Sequence, residues 1–340
     1  MRAAQERYGL RRAAPGDRTA ARRPTRAESE KAQRRGWPET PRVTLRRAVS
    51  TAAAGAASEQ EFFARLANAG VLVRKRLSTR NPGEVTGYSV ALSGDLGNSG
   101  PVWFGGKLAA DLTLPRLRER WGPARSVLGD PFTAPERNAI WDYAARTAAD
   151  ASAQIRSLAA SDPAAAADAA WATADTLHAA AAALGSRVLR QAADSYDRAA
   201  RSPFGRLPRP TPTGNSLRHA ARLLAAAADV TDHRTLALVT LITRLAALAE
   251  AVAELRLAQQ HAAQAADARK AAEHLHAAAC DYSTPPRDLR QTRPRTAAER
   301  AQLGFPLPLR LFPAQPARHD TGQTARPGSR APRKTRGPTR

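Results

Sequence analysis

Apolar residues recur at helical spacing over much of the middle of the chain. After Asp232 they fall at alternating intervals of three and four residues, at Leu238, Leu241, Leu245, Leu248, Val252 and Leu255. Such a heptad stripe needs a partner helix along its length. We therefore predict one long helix from Asp232 to Ala279. Its partner is either another helix of the same chain, which short loops favour, or a second copy of the protein.

Helix-capping signals divide the rest of this region. Thr133 followed by Glu136 and the pair Asp162-Pro163 are typical of helix N-termini. Together with a cap at Asn215 or Ser216, they predict helices over 133–158, 163–200 and 215–228. The sequence thus predicts an all-α, Ala-rich helical bundle over residues 131–282.

Residues 51–130 follow a different pattern. Ser58 and Glu61 form a capping-box signal before a short amphipathic helix that Gly70 ends. The pattern then predicts a hairpin with strands over 71–77 and 88–92, a third short strand over 102–104 and a helix over 113–121. The predicted fold class is therefore a small N-terminal α+β unit followed by the all-α helical bundle, with disordered basic termini.

Positive charge is concentrated at the two ends of the chain. Residues 1–50 hold 14 Lys and Arg against 5 Asp and Glu, and residues 283–340 hold 13 against 3, out of a net charge of +23. Both ends contain prolines and lack apolar periodicity, so we predict largely disordered arms that attract polyanions. DNA is the expected partner, and non-specific electrostatic attraction is the alternative.

Cysteine usage and hydropathy indicate a cytoplasmic protein without a membrane partner. Cys280 is the single cysteine, which excludes an internal disulfide and a zinc site built on several thiolates. No apolar segment follows the basic N-terminus, as a secretory signal requires. The most apolar window, Leu236 to Leu255, contains Arg244, Glu250 and Glu254, which are costly inside a bilayer.

The sequence offers no catalytic residue, metal ligand or cofactor site. His274 and His276 stand two apart on a predicted helix, so they point in different directions and do not close on one metal ion. The tyrosines have no neighbouring His and Asp cluster that would mark a DNA-nicking nucleophile. Gly105-Gly106-Lys107 lacks the remaining residues of a phosphate-binding loop and predicts a turn with an exposed lysine.

Basic residues near tryptophans are the best candidates for DNA contact. A β-hairpin lays basic side chains along phosphates, and an aromatic ring beside arginine stacks on an unpaired base. The alternative for the hairpin is an ordinary solvated face, and for Trp103 and Trp121 core packing is the favoured interpretation. The predicted DNA-binding residues are Arg74, Lys75, Arg76, Arg34, Arg35, Trp37 and Lys107.

Several sequence blocks resemble a known family. They are G-D-R-T-A-A-R-R-P-T-R-A-E at 16–28, S-E-Q-E-F-F-A-R-L at 58–66, A-G-V-L-V-R-K-R at 69–76, N-P-G-E-V-T-G-Y at 81–88 and W-F-G-G-K-L-A-A-D-L-T-L-P-R-L at 103–117. These blocks resemble the region that follows the catalytic domain in actinobacterial relaxase and mobilisation nucleases. The nicking tyrosine and histidine cluster of that family have no counterpart at any position here. The resemblance implies a mobilisation protein, or a truncated relaxase, that lacks the nuclease.

Three functions remain open from the sequence. The first is a non-catalytic DNA-binding accessory protein of plasmid transfer, with a relaxase or a transfer-machinery protein as a further partner. The second is a helical scaffold that recruits a nuclease or self-associates through residues 232–279. The third is a DNA-nicking relaxase whose site is unrecognised.

Overall fold

The computed structural model describes residues 17, 19–106, 108–121, 132–159, 161–203, 206, 208–228 and 236–283. Within them the N-terminal part comprises α1 Arg26–Arg34, α2 Pro41–Gly55, α3 Glu59–Asn68, β1 Val71–Leu77, β2 Val85–Leu92, β3 Leu96–Gly97, β4 Gly100–Pro101, β5 Phe104–Gly105 and α4 Leu114–Trp121. The remaining helices are α5 Ala134–Leu158, α6 Pro163–Ala183, α7 Arg187–Ala200, α8 Pro212–Ala226, α9 Leu236–Ala258 and α10 Ala262–Ser283. The predicted fold class, an α+β unit followed by a helical bundle, is confirmed.

The N-terminal unit is built on a three-stranded antiparallel sheet. Its strand order is β1-β2-β5, with Lys75 opposite Tyr88 and Val90 opposite Phe104. One face of this sheet packs on α2 and α3, and the core between them contains a cluster of four aromatic rings in which Phe62 contacts the other three. These rings, with centroids 5.2 to 6.0 Å apart, belong to Phe62, Phe63, Tyr88 and Trp121.

The capping signal at Ser58 forms α3 as the sequence predicts. The Ser58 hydroxyl accepts the Glu61 backbone N–H at 3.2 Å, and the Glu61 carboxylate accepts the Ala57 backbone N–H at 2.9 Å. Gly70 then takes a left-handed conformation with φ of 71°, which a residue without a Cβ adopts at no steric cost. The chain is thereby turned directly from α3 into β1.

The heptad stripe on α9 lies at the centre of the bundle. All six of its predicted residues are at most 1% exposed, and the helix packs along α5 on one side and α10 on the other. The stripe is therefore covered by helices of the same chain, as the internal-bundle alternative expects. Alanines fill many of the remaining core positions, which lets the helix axes approach closely.

Two predicted long helices are each broken in the structure. Instead of one helix over 163–200, the chain forms α6 and α7, because Gly185 turns left-handed with φ of 58° and the Ser186 hydroxyl starts a new cap. The predicted helix to Ala279 is likewise divided after α9, where Gln260 has φ of 60°. The cap of α8 is Thr211 rather than Asn215 or Ser216.

The prediction of a disordered arm over residues 1–50 is wrong for residues 26–50. The Thr25 hydroxyl and the Glu28 carboxylate form a complete capping box on α1. Helix α2 buries Leu45 and Val49 completely in the N-terminal core. Residues 1–16 and the predicted tail over 283–340, apart from residue 283 itself, lie outside the described residues.

Acidic partners within the segment and on α7 explain why this basic segment is ordered. The Arg47 guanidinium donates from Nη1 to Glu39 at 2.8 Å and from Nε to Asp194 of α7 at 3.0 Å. Arg42 donates to Glu28 at 2.7 Å. Charges that look like a solvated basic stretch in the sequence are therefore paired in the fold.

A buried ionic cluster joins the N-terminal unit to the bundle. Arg120 of α4 donates from Nε to Asp175 of α6 at 2.8 Å, and both side chains are less than 5% exposed. The Trp171 ring lies beneath the guanidinium groups of Arg120 and Arg218, at 5.3 and 5.4 Å, and Arg218 in turn pairs with the fully buried Asp168. This contact fixes the two parts of the fold to each other.

A second buried cluster centres on Asp197 of α7. Its carboxylate contacts His178 Nε2 at 2.8 Å and Arg201 Nη2 at 3.4 Å, and Arg201 also donates from Nε to Asp111 at 2.9 Å. Burial alone would raise the pKa of Asp197, but His178, Arg201 and Arg46 hold that pKa well below its usual range. The carboxylate is therefore ionised throughout the neutral range.

One helix of the described residues is long and apolar enough to cross a membrane. It is α9, with a mean hydropathy of 1.8, and 56% of its most apolar window is buried inside the chain. The core helix of a soluble bundle has the same properties. Its position between α5 and α10 is that of a core helix.

Candidate nucleic-acid interface

Strand alternation sorts the basic residues of β1 onto two sides of the sheet. Successive side chains of a strand point to opposite faces, so Arg74 and Arg76 share one face and Lys75 takes the other. Lys75 is also exposed, and its Nζ lies 4.5 Å from the centre of the Phe63 ring on the side of the sheet that faces α3. Arg74 instead lies over Trp103, with its guanidinium carbon 4.3 Å from the ring centre.

We call the side that carries Arg74 the outer sheet face, and define it by Leu72, Arg74, Arg76 and Trp103. Leu72, Arg74 and Arg76 are exposed, and Trp103 is partly exposed. Trp103 precedes Phe104, which is buried opposite Val90, so the two neighbouring rings lie on opposite sides of the sheet. An open sheet face with two arginines and an indole is thereby formed.

The two arginines of the outer sheet face are held in place by neutral groups. Arg76 donates from Nε to the Thr86 hydroxyl at 3.2 Å, while Arg74 is held by the Trp103 ring. Within the described residues, no carboxylate forms an ion pair with Arg74, with Arg76 or with Arg80 at the end of the hairpin. Their charges are therefore available to an anionic partner, and a guanidinium presents its donors in a planar fork that matches a phosphate.

The predicted site at the end of α1 is ordered against the N-terminal unit. Arg35 donates from Nη1 to the Gly94 carbonyl at 2.8 Å and lies over the Trp37 ring at 5.1 Å. Nearby, Lys31 pairs with the buried Asp95 at 2.5 Å. Arg34 is exposed. The segment therefore presents its charge from a fixed position rather than from a free arm.

Trp37 also lines a groove of about 610 Å³ between α2 and α7. Arg187 and Arg190, from the first turn of α7, line the same groove. Neither arginine is among the residues predicted from the sequence, although their spacing of three residues places them on one side of a helix. A core position was the favoured prediction for Trp103, whereas its alternation with the buried Phe104 indicates an outward ring.

Of the two glycines before Lys107, Gly105 ends strand β5 and Gly106 lies in a bend against the core. A Cβ at Gly106 would lie 3.0 Å from the Tyr88 ring, so the close approach of the ring requires glycine. The Tyr88 hydroxyl donates to the Leu112 carbonyl at 2.6 Å. Lys107 itself, a predicted DNA-binding residue, lies outside the described residues.

The histidine pair on α10 is placed as helix geometry requires. His276 Nε2 contacts the Glu250 carboxylate of α9 at 2.9 Å, on the bundle surface. In the part of the chain that the structure describes, no group of three or more His, Cys, Asp and Glu side chains is arranged to hold a metal ion. Tyr88 and Tyr196 are buried, with Tyr196 donating to the Ala170 carbonyl at 2.8 Å.

Comparison with known proteins adds no family to this picture. A scan against protein-family models and searches of curated proteins and solved structures find no match to the chain. The geometry of the described residues is therefore what bears on function.

Proposed function

We propose that the protein is a non-catalytic DNA-binding protein that contacts nucleic acid through the outer sheet face. The observation that carries this proposal is the exposed pair Arg74 and Arg76 beside Trp103, without an acidic partner among the described residues. Salt-bridged arginines elsewhere in the fold stabilise structure. Arg74 and Arg76 are instead available to bind an external anion.

The composition of the face favours single-stranded over double-stranded DNA. Proteins that bind single strands combine a positive surface that follows the backbone with aromatic rings on which bases stack. Trp103 supplies such a ring between the arginines and β5, and its indole is partly exposed. Phosphate contacts by Arg74 and Arg76 would position the strand without reading its sequence.

The biological setting of the proposal comes from the sequence resemblance. A post-catalytic relaxase region would help to hold transfer-origin DNA, or connect a relaxase to the transfer machinery, in the cytoplasm. We therefore propose an accessory role in plasmid mobilisation, with a relaxase as the protein partner. In the scaffold alternative, residues 232–279 would have to bind a partner through other faces of their helices, because α5 and α10 cover the leucine stripe of α9.

Salt-dependent DNA binding tests the proposal. The full chain is titrated into fluorescently labelled oligonucleotides, single-stranded and duplex, between 50 and 200 mM salt, and anisotropy gives Kd. We expect tighter binding to the single strand and a Kd that rises steeply with salt. Absent binding, or a Kd that does not change with salt, would overturn the proposal.

A nicking assay distinguishes the remaining alternative. Supercoiled plasmid is incubated with the full chain and a divalent metal ion, and the relaxed product is measured by gel electrophoresis. We expect no relaxed product above the protein-free control. Cleavage would show that the protein is an enzyme and would overturn the non-catalytic role.

A further inference from the structure

An open cavity of about 660 Å³ lies at one end of the bundle. The residues that line it come from the start of α6, from the described part of the connection between α7 and α8, and from the end of α9 with the turn that follows it. We call this space the basic cavity, because its polar lining includes Arg206, Arg209, Arg256 and His261. Its size lies within the range of about 300 to 1,000 Å³ that is typical of small-molecule sites.

The buried Arg256 is the main reason to assign a ligand to the basic cavity. This residue is 1% exposed, yet its guanidinium donates only to neutral acceptors: the Ala199 carbonyl at 2.8 Å, the Gln259 side chain at 2.7 Å and the Ala200 carbonyl at 3.4 Å. No carboxylate of the described residues forms an ion pair with it. Burial accordingly lowers the pKa of Arg256.

The C-terminus of α7 compensates part of the positive charge of Arg256. The Ala199 and Ala200 carbonyls are the last of α7, and the C-terminus of a helix corresponds to about half a negative charge. Part of the positive charge of the buried Arg256 guanidinium therefore remains uncompensated. Buried charges in proteins are normally paired, so a missing anion is the simplest complement.

The turn between α9 and α10 adds a second observation. His261 Nδ1 is buried and has no hydrogen-bond partner among the described residues. Gln260, which precedes it, has φ of 60° and ends α9, with the Gln260 N–H donating to the Leu257 carbonyl and the His261 N–H to the Arg256 carbonyl. This turn holds Gln259 and His261 at the wall of the basic cavity.

The charge balance of the lining indicates the chemistry of the ligand. Arg206 and Arg209 are exposed at the cavity and form no ion pair with the described residues. With Arg256 they contribute three positive charges, against the single carboxylate of Asp162 in the lining. Asp17 does not line the cavity, although its charge favours the protonated form of His261 and so opposes the lowering of the His261 pKa. The net excess of two charges matches a dianionic phosphate monoester. Proline and alanine side chains form the apolar remainder.

We infer that the basic cavity binds a small molecule that carries a phosphate monoester, such as a nucleoside monophosphate. Arginine forks recognise phosphate in a bidentate manner, and the apolar wall accommodates the rest of the molecule. The site is formed by residues other than those of the outer sheet face. It is a small-molecule site rather than a continuation of the DNA surface.

Calorimetric titration of the full chain tests this inference. The probes are adenosine monophosphate, adenosine and inorganic phosphate, each up to 10 mM. We expect adenosine monophosphate to bind and adenosine to show no binding. Inorganic phosphate that binds as tightly as the nucleotide would still support the phosphate site and would assign it to the free ion. Binding of neither anion, or equal binding of adenosine, would overturn the inference.

Substitutions at the exposed rim separate specific binding from general charge. The double variant Arg206→Ser and Arg209→Ser should raise the Kd for the bound anion at least 10-fold without disturbing the core. Its matched control, Arg244→Ser and Arg269→Ser, removes two exposed charges from α9 and α10 and should leave Kd within twofold. An unchanged Kd in the rim variant, or an equal loss in the control, would place the anion elsewhere and overturn the inference.

Discussion

Arg74 stacks on Trp103, with the guanidinium carbon 4.3 Å from the centre of the indole ring, on the exposed side of the N-terminal sheet. The side chain of the neighbouring Lys75 points to the other side of the sheet and lies over the Phe63 ring. Two adjacent basic residues of one strand thus lie on opposite sides of the sheet. Substituting each in turn removes one positive charge from a different side, so the two effects on DNA binding can be compared.

Substitution of Arg74 by serine should weaken DNA binding more than substitution of Lys75 by serine. Each phosphate contact contributes about 0.9 to the slope of log K against log salt on duplex DNA, and about 0.7 on single strands. We expect Arg74→Ser to reduce the single-strand slope by about 0.7 and Lys75→Ser to change it little. Anisotropy titrations over a salt series measure both. Equal losses would mean that the overall positive field, and not the outer sheet face, binds DNA.

Substitution of Trp103 by leucine should reduce the preference for single strands. Stacking of a base on an aromatic side chain contributes about 1 to 3 kcal/mol, and a paired base within a duplex does not offer its face. The Kd for a single-stranded oligonucleotide should therefore rise roughly 5- to 150-fold, while the Kd for a duplex of equal length changes little. Tyr282→Leu, which removes a partly exposed aromatic ring from α10 in the helical bundle, is the control. A parallel loss for both DNA forms would assign Trp103 a structural role.

The helical bundle could be predicted from the sequence because its signals are local. The stripe from Leu238 to Leu255 has a period that only a packed helix explains, and Ser58 with Glu61 marks a helix start within four residues. The break at Gln260 had no such signal, since glutamine is not a residue that favours positive φ. The conformation belongs to the end of α9, where the backbone N–H groups of Gln260 and His261 donate to the Leu257 and Arg256 carbonyls.

The order of residues 26–50 could not be predicted, because its cause lies far along the chain. Arg47 pairs with Asp194, 147 residues away, and its charge appears solvated when only its neighbours are considered. Leu45 and Val49 are too few apolar residues to predict a buried helix face from the sequence alone. The outer sheet face was partly predictable: alternation separates Arg74 from Lys75, but the position of Trp103 depends on the pairing of β5 with β2.

Substitution of Asp175 by alanine should destabilise the fold strongly. Burial lowers the pKa of Arg120 to about 10, so its guanidinium is charged at neutral pH and would lose its carboxylate partner. Removal of one member of a buried ion pair costs about 3 to 5 kcal/mol in the free energy of unfolding. Urea unfolding measures this change.

The control for this change is Glu119→Ala, which removes the partner of Arg116 at 3.7 Å on the surface of the same α4. Exposed ion pairs contribute about 0 to 1 kcal/mol. A similar small loss in Asp175→Ala would show that the buried cluster does not hold the two parts of the fold together.

Acid should weaken the fold through Asp197. The folded-state pKa of this carboxyl lies below its unfolded value near 3.8, so its stabilising contribution is complete above pH 4 and is lost as the pH falls towards the folded-state pKa. The difference in unfolding free energy between wild type and Asp197→Asn should therefore shrink as the pH falls below 4. Chemical denaturation at each pH measures it. A difference that stays constant down to pH 3 would contradict the lowered pKa.

The buried stripe of α9 should account for much of the stability of the bundle. Leu248 is fully buried, so Leu248→Ala removes a packed side chain and leaves a cavity, which costs about 2 to 5 kcal/mol. Leu257, on the same helix, is 42% exposed, and Leu257→Ala should cost less than about 1 kcal/mol. Urea unfolding of both variants gives the comparison, and light scattering shows whether either one changes the oligomeric state. Similar small losses for the two leucines would mean that α9 is not packed inside its own chain, and the stripe would then be free to bind a second copy.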